Sequence, residues 1–363
     1  MVYNAIVGLG NTGTQIVKLA SRSSYLENVK KFAIDSVASS ADMSSISDVT
    51  YIPVISDDKT GSGRSRERGK AMYEYHESQG HFDEMYNVLQ NSKSPVIVIT
   101  SAAGGTGSGS IVPFCKTMIE KGIDVIPIIV VPNMNDPDAY HLNTNDLMIE
   151  LDELEIKTYS IFRNVRSGAN YDLINKQIVE LIEIIFGTRY DETEMDSIDD
   201  SDLDVVLSTP GRFIAVSVSA DNVEDFKKEL TRKVFNGYQP AWTPKESEEH
   251  TFITACSLSW MFASNDFEDA FSEINARIKN SFDEYRNKAN IDNDGKCFGT
   301  LIVAGLPHAE LKVIDSKYRI AEGMSSGMKR AERPSFLTKK KATITKPGKM
   351  IDGDSVIAQF DWK

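Results

Sequence analysis

Residues 102–109 read Ala-Ala-Gly-Gly-Thr-Gly-Ser-Gly and follow directly on Pro95–Thr100, PVIVIT. An apolar, β-branched run of that length is the mark of a strand buried on both faces. Four glycines in the next eight residues are costly, because glycine loses more chain entropy on folding than any other residue. A purely structural loop has little need of so many. A nest of backbone N–H groups around a polyphosphate, at the start of a helix, accounts for the composition. No lysine follows the glycines, so this is not a Walker A loop; Thr106 and Ser108 offer hydroxyls in its place.

A second loop of the same kind stands near the start of the chain. Gly8-Leu9-Gly10-Asn11-Thr12-Gly13 follows the apolar residues 2–7 and precedes a helical stretch at Thr12–Ser21. Asp35 ends the next strand at the distance of a ribose-binding acid, so this loop alone points to a dinucleotide site. A nicotinamide dehydrogenase leaves the loop at 102–109 unused. Two loops suggest one nucleoside triphosphate gripped along its phosphates. A third turn, Gly61-Ser62-Gly63-Arg64, opens another helix and is either a surface turn or a flap over the terminal phosphate.

Around these loops strands and helices alternate. Strands are expected at 2–7, Lys31–Ile34, Tyr51–Ile55, Pro95–Thr100, Ile123–Val131 and Thr158–Phe162, and helices at Arg66–Gln79, Phe82–Gln90 and Ile111–Lys121. This is the pattern of a parallel sheet with helices on both faces. Ser167–Phe186 has so many apolar positions that it reads as a helix sandwiched between two domains. A second α/β unit follows, with strands at Arg212–Ser219, Thr251–Phe262 and Phe298–Gly305 and helices at Val223–Phe235 and Asp266–Lys288. The fold class is therefore α/β. A parallel-sheet nucleotide-binding domain is joined by a long central helix to a smaller α/β domain, with a C-terminal helix and basic tail. The expected divisions are 1–166, 167–187, 188–306 and 307–363.

The 363 residues carry a net charge of −13, against broad nucleic-acid binding by the body of the protein. Residues 329–349 carry +7, leaving −20 for the rest. This segment is either a solubilising terminus or an arm for an acidic partner. Eight acids and no base lie in Asp191–Asp204, which reads by itself as a solvated loop. Three scattered cysteines give neither a disulfide framework nor a zinc spacing, and the five histidines form no metal motif, so no metal site of the protein's own is expected. No apolar run approaches a membrane span, and MVYNAIVGLG has no basic stretch of a signal peptide. A reducing cytoplasm and no membrane partner are expected.

GGTGSG at 104–109 resembles the signature GGGTGTG of the tubulin/FtsZ superfamily of polymerising GTPases, with Ala103 for Gly and Ser108 for Thr. GLGNTGTQ at 8–15 is similar to that family's first phosphate loop, and GSGRSRERGKAMYE at 61–74 to its third loop and helix. The resemblance covers residues 1 to about 306 and implies GTP or GDP as ligand, with Mg²⁺. It implies phosphate and ribose contacts at Gly10, Asn11, Thr12, Gln15, Asp35, Gly63, Ala103, Gly104, Gly105, Thr106, Gly107, Ser108 and Asp138. Asn164, and Tyr171 with Asn175 in YDLIN, match the family's base-binding positions. An aromatic face stacks on a purine, an amide pairs with its edge, and residues four apart share a helix face.

In the family a loop from the adjoining subunit brings acids to the terminal phosphate, so that polymerisation completes the active site. Ser197–Asp202 resembles that loop, which implies Asp199 and Asp202 as catalytic, with Asp200 a competitor. The chain looks closest to the plasmid- and phage-borne TubZ branch. This implies a head-to-tail filament that moves DNA, and a basic tail at 329–349 for a DNA-binding adaptor or centromere complex. The alternatives are an NAD(P)-dependent oxidoreductase and a nucleotide-binding scaffold without turnover.

Overall fold

The structure is a computed structural model that describes residues 4–36, 46–55, 61–154, 156–165, 171–186, 207–239, 254–259, 284–289, 297–306 and 311–314. The strands are β1 (Ala5–Leu9), β2 (Lys30–Asp35), β3 (Val49–Pro53), β4 (Val96–Ser101), β5 (Val125–Val131), β6 (Thr158–Arg163), β7 (Gly211–Ala220), β8 (Thr254–Ser259), β9 (Glu284–Ala289) and β10 (Cys297–Leu306). They form one sheet in the order β3-β2-β1-β4-β5-β6-β7-β10-β8-β9. The first six pair in parallel throughout. Their order reverses between β1 and β4, where doubly wound sheets open a ligand crevice at the strands' carboxyl ends.

Both glycine loops leave the sheet at that reversal. The first leads into α1 (Gly10–Ala20) and the second into α4 (Thr106–Glu120). The remaining helices are α2 (Arg66–Ser78), α3 (Asp83–Gln90), α5 (Asp138–Asp152), α6 (Asp172–Ile185) and α7 (Val223–Asn236). Successive strand residues feed opposite faces of the sheet. Ile6, Ile97 and Ile99 pack toward α1 and α6, whereas Val7, Leu9, Val96 and Val98 pack toward α3, α4 and α5. Both faces are covered, which is why these strands read as unbroken apolar runs.

Helix α6 explains its own sequence. Ile174, Ile178, Leu181, Ile182 and Ile185 enter one core with Val17 of α1, Phe213 and Ala215 of β7, and Ile302 and Ala304 of β10. Each fully buried side chain of that size contributes about 1.5–3 kcal/mol. The sheet continues from β6 into β7 through two parallel residue pairs, Thr158 with Gly211 and Tyr159 with Arg212. Beyond β7 the pairing turns antiparallel to β10 and from β10 to β8. Residues 311–314 return to α5, where Lys312 forms a 2.8 Å ion pair with Asp138.

Three local expectations change. Helix α4 starts at Thr106, five residues before the apolar periodicity begins, because the glycine loop supplies its first turn; the Gly109 amide donates to the Gly105 carbonyl at 2.9 Å. Helix α5 was not evident in the sequence, because Asp138–Asp152 buries His, Asn and Thr beside Leu and Met and shows no clean apolar stripe. The helix expected over Asp266–Lys288 does not reach its end: Glu284–Ala289 is β9, parallel to β8. There the hydrogen bonds of a neighbouring strand outweigh a helical pattern that is only a weak local preference. Residues 260–283 lie outside the described residues. No described helix is long and apolar enough to cross a membrane.

Candidate functional site

A cavity of about 570 Å³ opens at the carboxyl ends of β1 and β4. Gly10, Asn11, Thr12 and Gln15 line it from α1, and Asp35 from the end of β2. Ala103, Gly104, Gly105, Thr106 and Gly107 line it from the second loop, and Gly63 from the third turn. Asn164, Tyr171 and Asn175 form the wall beyond β6. Residues separated by up to 165 positions thus meet around one space. Its volume suits a nucleotide, within the usual range of ligand pockets.

Two helix N-termini point at the cavity. Neither α1 nor α4 has a capping side chain or an acid in its first turn. Their leading N–H groups and positive dipole ends therefore remain available for an anion. Helix α2, which starts behind the third turn, is closed instead by Ser65, whose hydroxyl accepts from the Arg68 amide.

The glycines divide by what a side chain would strike. A Cβ on Gly8 would lie 2.4 Å from the Gly13 carbonyl oxygen, and one on Gly107 would lie 2.5 Å from the Leu9 carbonyl oxygen. A Cβ on Gly109 would meet the Arg66 carbonyl oxygen at 2.4 Å, and one on Gly69 the Gly105 carbonyl oxygen at 2.3 Å. These glycines let α1 approach the sheet and α2 cross α4. Much of the glycine content is therefore packing, which corrects the reading of the whole second loop as a phosphate nest. Gly104 differs: its nearest neighbour would be the Ser101 carbonyl oxygen at 4.0 Å. Packing gives no reason for glycine at 104, and the residue faces the cavity.

Three hydroxyls meet at the second loop. Thr106 Oγ1 lies 2.6 Å from Ser36 Oγ and 2.9 Å from Ser62 Oγ, and all three residues are buried. They come from the end of β2, the third turn and α4, so one hydrogen-bonded cluster ties three segments together. Asn143 of α5 adds a second tie: its Nδ2 donates to the carbonyls of Arg64 and Ala103, each at 3.1 Å. Behind the turn, Arg66 makes a two-pronged bond to Glu150 at 2.7 and 2.8 Å.

On the opposite wall, Asn133 holds Asn164 by donating Nδ2 to its carbonyl at 3.2 Å. Asn175 and Tyr171 stand one turn apart, with the Asn175 amide bonded to the Tyr171 carbonyl at 3.0 Å. Tyr171 is 41% exposed at the rim. An exposed ring beside a half-buried amide can stack on a planar base and pair with its edge.

Two site residues from the sequence do not line the cavity. Ser108 is wholly buried, and its hydroxyl donates to the Gly104 carbonyl inside the first turn of α4. Asp138 points to Lys312 instead. The acid on the wall is Asp136, two residues earlier, with Oδ2 accepting from the Asn133 amide at 2.8 Å. Ser36, Ser62, Arg64 and Tyr140 also line the cavity. The sequence carried a signal for Ser62 and Arg64 in the third turn; Tyr140 depended on α5 being recognised. Asp199 and Asp202 lie outside the described residues, as do the acidic stretch around them and the basic tail. Among the described residues, no group of three or more His, Cys, Asp and Glu could hold a metal ion.

The family model described as "Tubulin like" matches residues 53–312. Among solved structures, the fold is similar to CetZ2 from Haloferax volcanii, described as a GTPγS-bound protofilament. The TM-score is 0.65 at 17% identity, over 85% of this chain and 94% of that one. A GTPγS-form protofilament of Bacillus thuringiensis serovar israelensis TubZ gives 0.65 at 14% identity, over 84% and 88%. The FtsZ dimer of M. jannaschii gives 0.62 at 14% identity, over 84% and 88%. No curated protein matches this chain in sequence.

Proposed function

The chain belongs to the tubulin-like family, and from that premise we propose that it is a polymerising GTPase whose filaments hydrolyse GTP between subunits. One observation carries the reading. A single cavity joins two uncapped helix N-termini, for phosphates, to an aromatic–amide pair on a separate wall, for a purine. The resemblance of YDLIN to the family's base-binding motif makes that purine guanine.

In this reading the chain's own groups bind and orient. The amides of the first turns of α1 and α4 take phosphate oxygens, and Gly104 lets the backbone come close because no Cβ intervenes. Asp35 and Asp136 face the sugar, Tyr171 stacks on the base, and Asn164 and Asn175 read its edge. Mg²⁺ would screen the phosphate charge; with no acidic cage among the described residues, phosphates, water and cavity hydroxyls would hold it.

Water attack needs an orienting group. No described histidine lines the cavity, and its two described acids stand at the ribose end of this arrangement. A second copy would bring Asp199 and Asp202 to the terminal phosphate, head to tail. Relatives described as protofilaments support such self-association. Transport of plasmid or phage DNA through an adaptor on the basic tail at 329–349, in the cytoplasm, is the role we assign to the filament.

The test is GTPase rate and light scattering across protein concentrations. A shared threshold is expected. A dilute monomer that cleaves GTP at the same rate per molecule would overturn activation by assembly. Tighter binding of NADH than of GTP would turn the reading toward an oxidoreductase.

A further inference from the structure

Asn133 does not line the cavity, yet it bonds to two residues that do, Asp136 and Asn164. It is half-buried in the loop between β5 and α5. Its Nδ2 donates to the carbonyl of Asn164, the residue after β6, at 3.2 Å. Its backbone amide donates to Asp136 Oδ2 at 2.8 Å, and its carbonyl accepts from the Asp136 amide at 2.9 Å. Its Oδ1 accepts from the Asn135 amide at 3.2 Å. An asparagine that bonds the backbone two residues on fixes a turn by itself. Here the same side chain also reaches across to the end of the next strand, so all four of its polar atoms are engaged.

The two side-chain atoms act on different partners. Oδ1 shapes the 133–136 turn, and that turn places Asp136, a carboxylate only 7% exposed. Nδ2 holds Asn164 through its main chain, whose amide is bonded in turn to the Val131 carbonyl at 2.9 Å. Both backbone groups of Asn164 are thereby pinned to the end of β5. A side chain on a pinned backbone loses less freedom when it takes a ligand, so pre-organisation adds affinity for the ligand it fits.

We propose that Asn133 is a positioning residue that couples base and sugar recognition: through Nδ2 it sets Asn164 for the base edge, and through Oδ1 it sets Asp136 for the ribose. It acts through those two residues and lies outside the cavity lining. This rests on the reading of the cavity as a guanine-nucleotide site. It adds a residue that no contact with the nucleotide would reveal.

The experiment measures binding of GDP, ADP and dideoxy-GDP, whose sugar lacks both hydroxyls, to the full chain in wild type, Asn133→Ala and Asn133→Asp. Aspartate keeps the acceptor for the Asn135 amide and lacks the donor for the Asn164 carbonyl. Ratios of affinities are compared, so a loss common to all three ligands, from loosened packing or added charge, cancels. In the Ala variant the preference for GDP over ADP and that for GDP over dideoxy-GDP should each fall by about 3-fold to 10-fold. In the Asp variant the first should fall as far, while the second stays within about twofold of wild type. Unchanged ratios in both variants, with or without a common loss of affinity, would make Asn133 a structural residue and overturn the proposal. Equal loss of both preferences in the Asp variant would overturn the division between Nδ2 and Oδ1, and the proposal with it. A wild-type chain with neither preference overturns the site reading together with this inference; one with both, on which Asn133 has no bearing, overturns the inference alone.

Discussion

Gly10 and Gly107 touch backbone to backbone: a Cβ built on Gly10 would lie 2.7 Å from the Gly107 nitrogen. The two glycine loops are therefore one interlocked floor. Gly10 also has φ +70°, which few other residues adopt. Because the loops interlock, movement of one strand end is felt by both helix termini that face the cavity.

That floor separates two substitutions of the same chemistry. Gly107→Ala drives a methyl to 2.4 Å from Thr100 Oγ1 and 2.5 Å from the Leu9 carbonyl oxygen. It should lower the unfolding midpoint in denaturant, with a cost of about 1–3 kcal/mol from overpacking. Gly104→Ala meets nothing closer than 4.0 Å. It should leave the midpoint near wild type while weakening GTPγS binding. Equal stability losses in the two variants would remove the assignment of Gly104 to the ligand.

Base recognition is expected to rest on Asn175. Replacing it by Ala deletes an amide on the cavity wall without disturbing the apolar side of α6. A loss of about 1–3 kcal/mol in guanine-nucleotide affinity is expected, and with it most of the preference for GDP over ADP. Competition binding with both diphosphates measures it.

The acids of the 197–202 segment separate binding from turnover. Asp199→Ala should bind GTPγS like wild type, lose GTP hydrolysis by about 100-fold or more, and form filaments that persist in GTP. Phosphate release and sedimentation over time are the readouts. Normal turnover would move the catalytic role to Asp200 or away from this loop.

Arg66 and Glu150 pin α2 to α5, with their side chains 5% and 12% exposed. Glu150→Ala leaves a guanidinium buried without its two-pronged partner. The expected destabilisation is about 3–5 kcal/mol, measured by chemical unfolding. A smaller loss for the double variant Arg66→Met, Glu150→Leu would show that the cost is the orphaned charge.

His141 makes stability sensitive to acid. Burial, helped by Lys312, holds its imidazole below the ordinary value of 6.5, against the opposing pull of Asp138 and Asp136. Its Nε2 is buried without a hydrogen-bond partner. Below about pH 6.5 the unfolded chain takes up a proton that the folded chain refuses. Stability is therefore complete above that pH and falls as the solution is acidified. His141→Gln should flatten this dependence between pH 6.5 and 5, compared with wild type in denaturant titrations.

The strands at PVIVIT and Ile123–Val131 and the two glycine loops were legible because each is set by neighbours a few residues apart. Alternation, β-branching and glycine runs are local signals. Helix α5 gave no such signal, since its buried face mixes His141, Asn145 and Thr144 with Leu147 and Met148. The exchange of Asp138 for Asp136 follows from the same gap. One residue begins the helix and pairs with Lys312, and the other sits in the loop before it, facing the cavity.

The order of residues alone thus determined an α/β chain with two glycine loops at strand ends. Tertiary structure decided which glycines serve packing and which one faces the open cavity. Gly104 and Gly107 are chemically identical, and only the atoms opposite them differ. It also decided that Arg64, at a left-handed turn some 40 residues before the second loop, would stand at that loop's cavity. Close approach between segments distant in the chain depends on how helices dock on a sheet, and no local pattern encodes that distance.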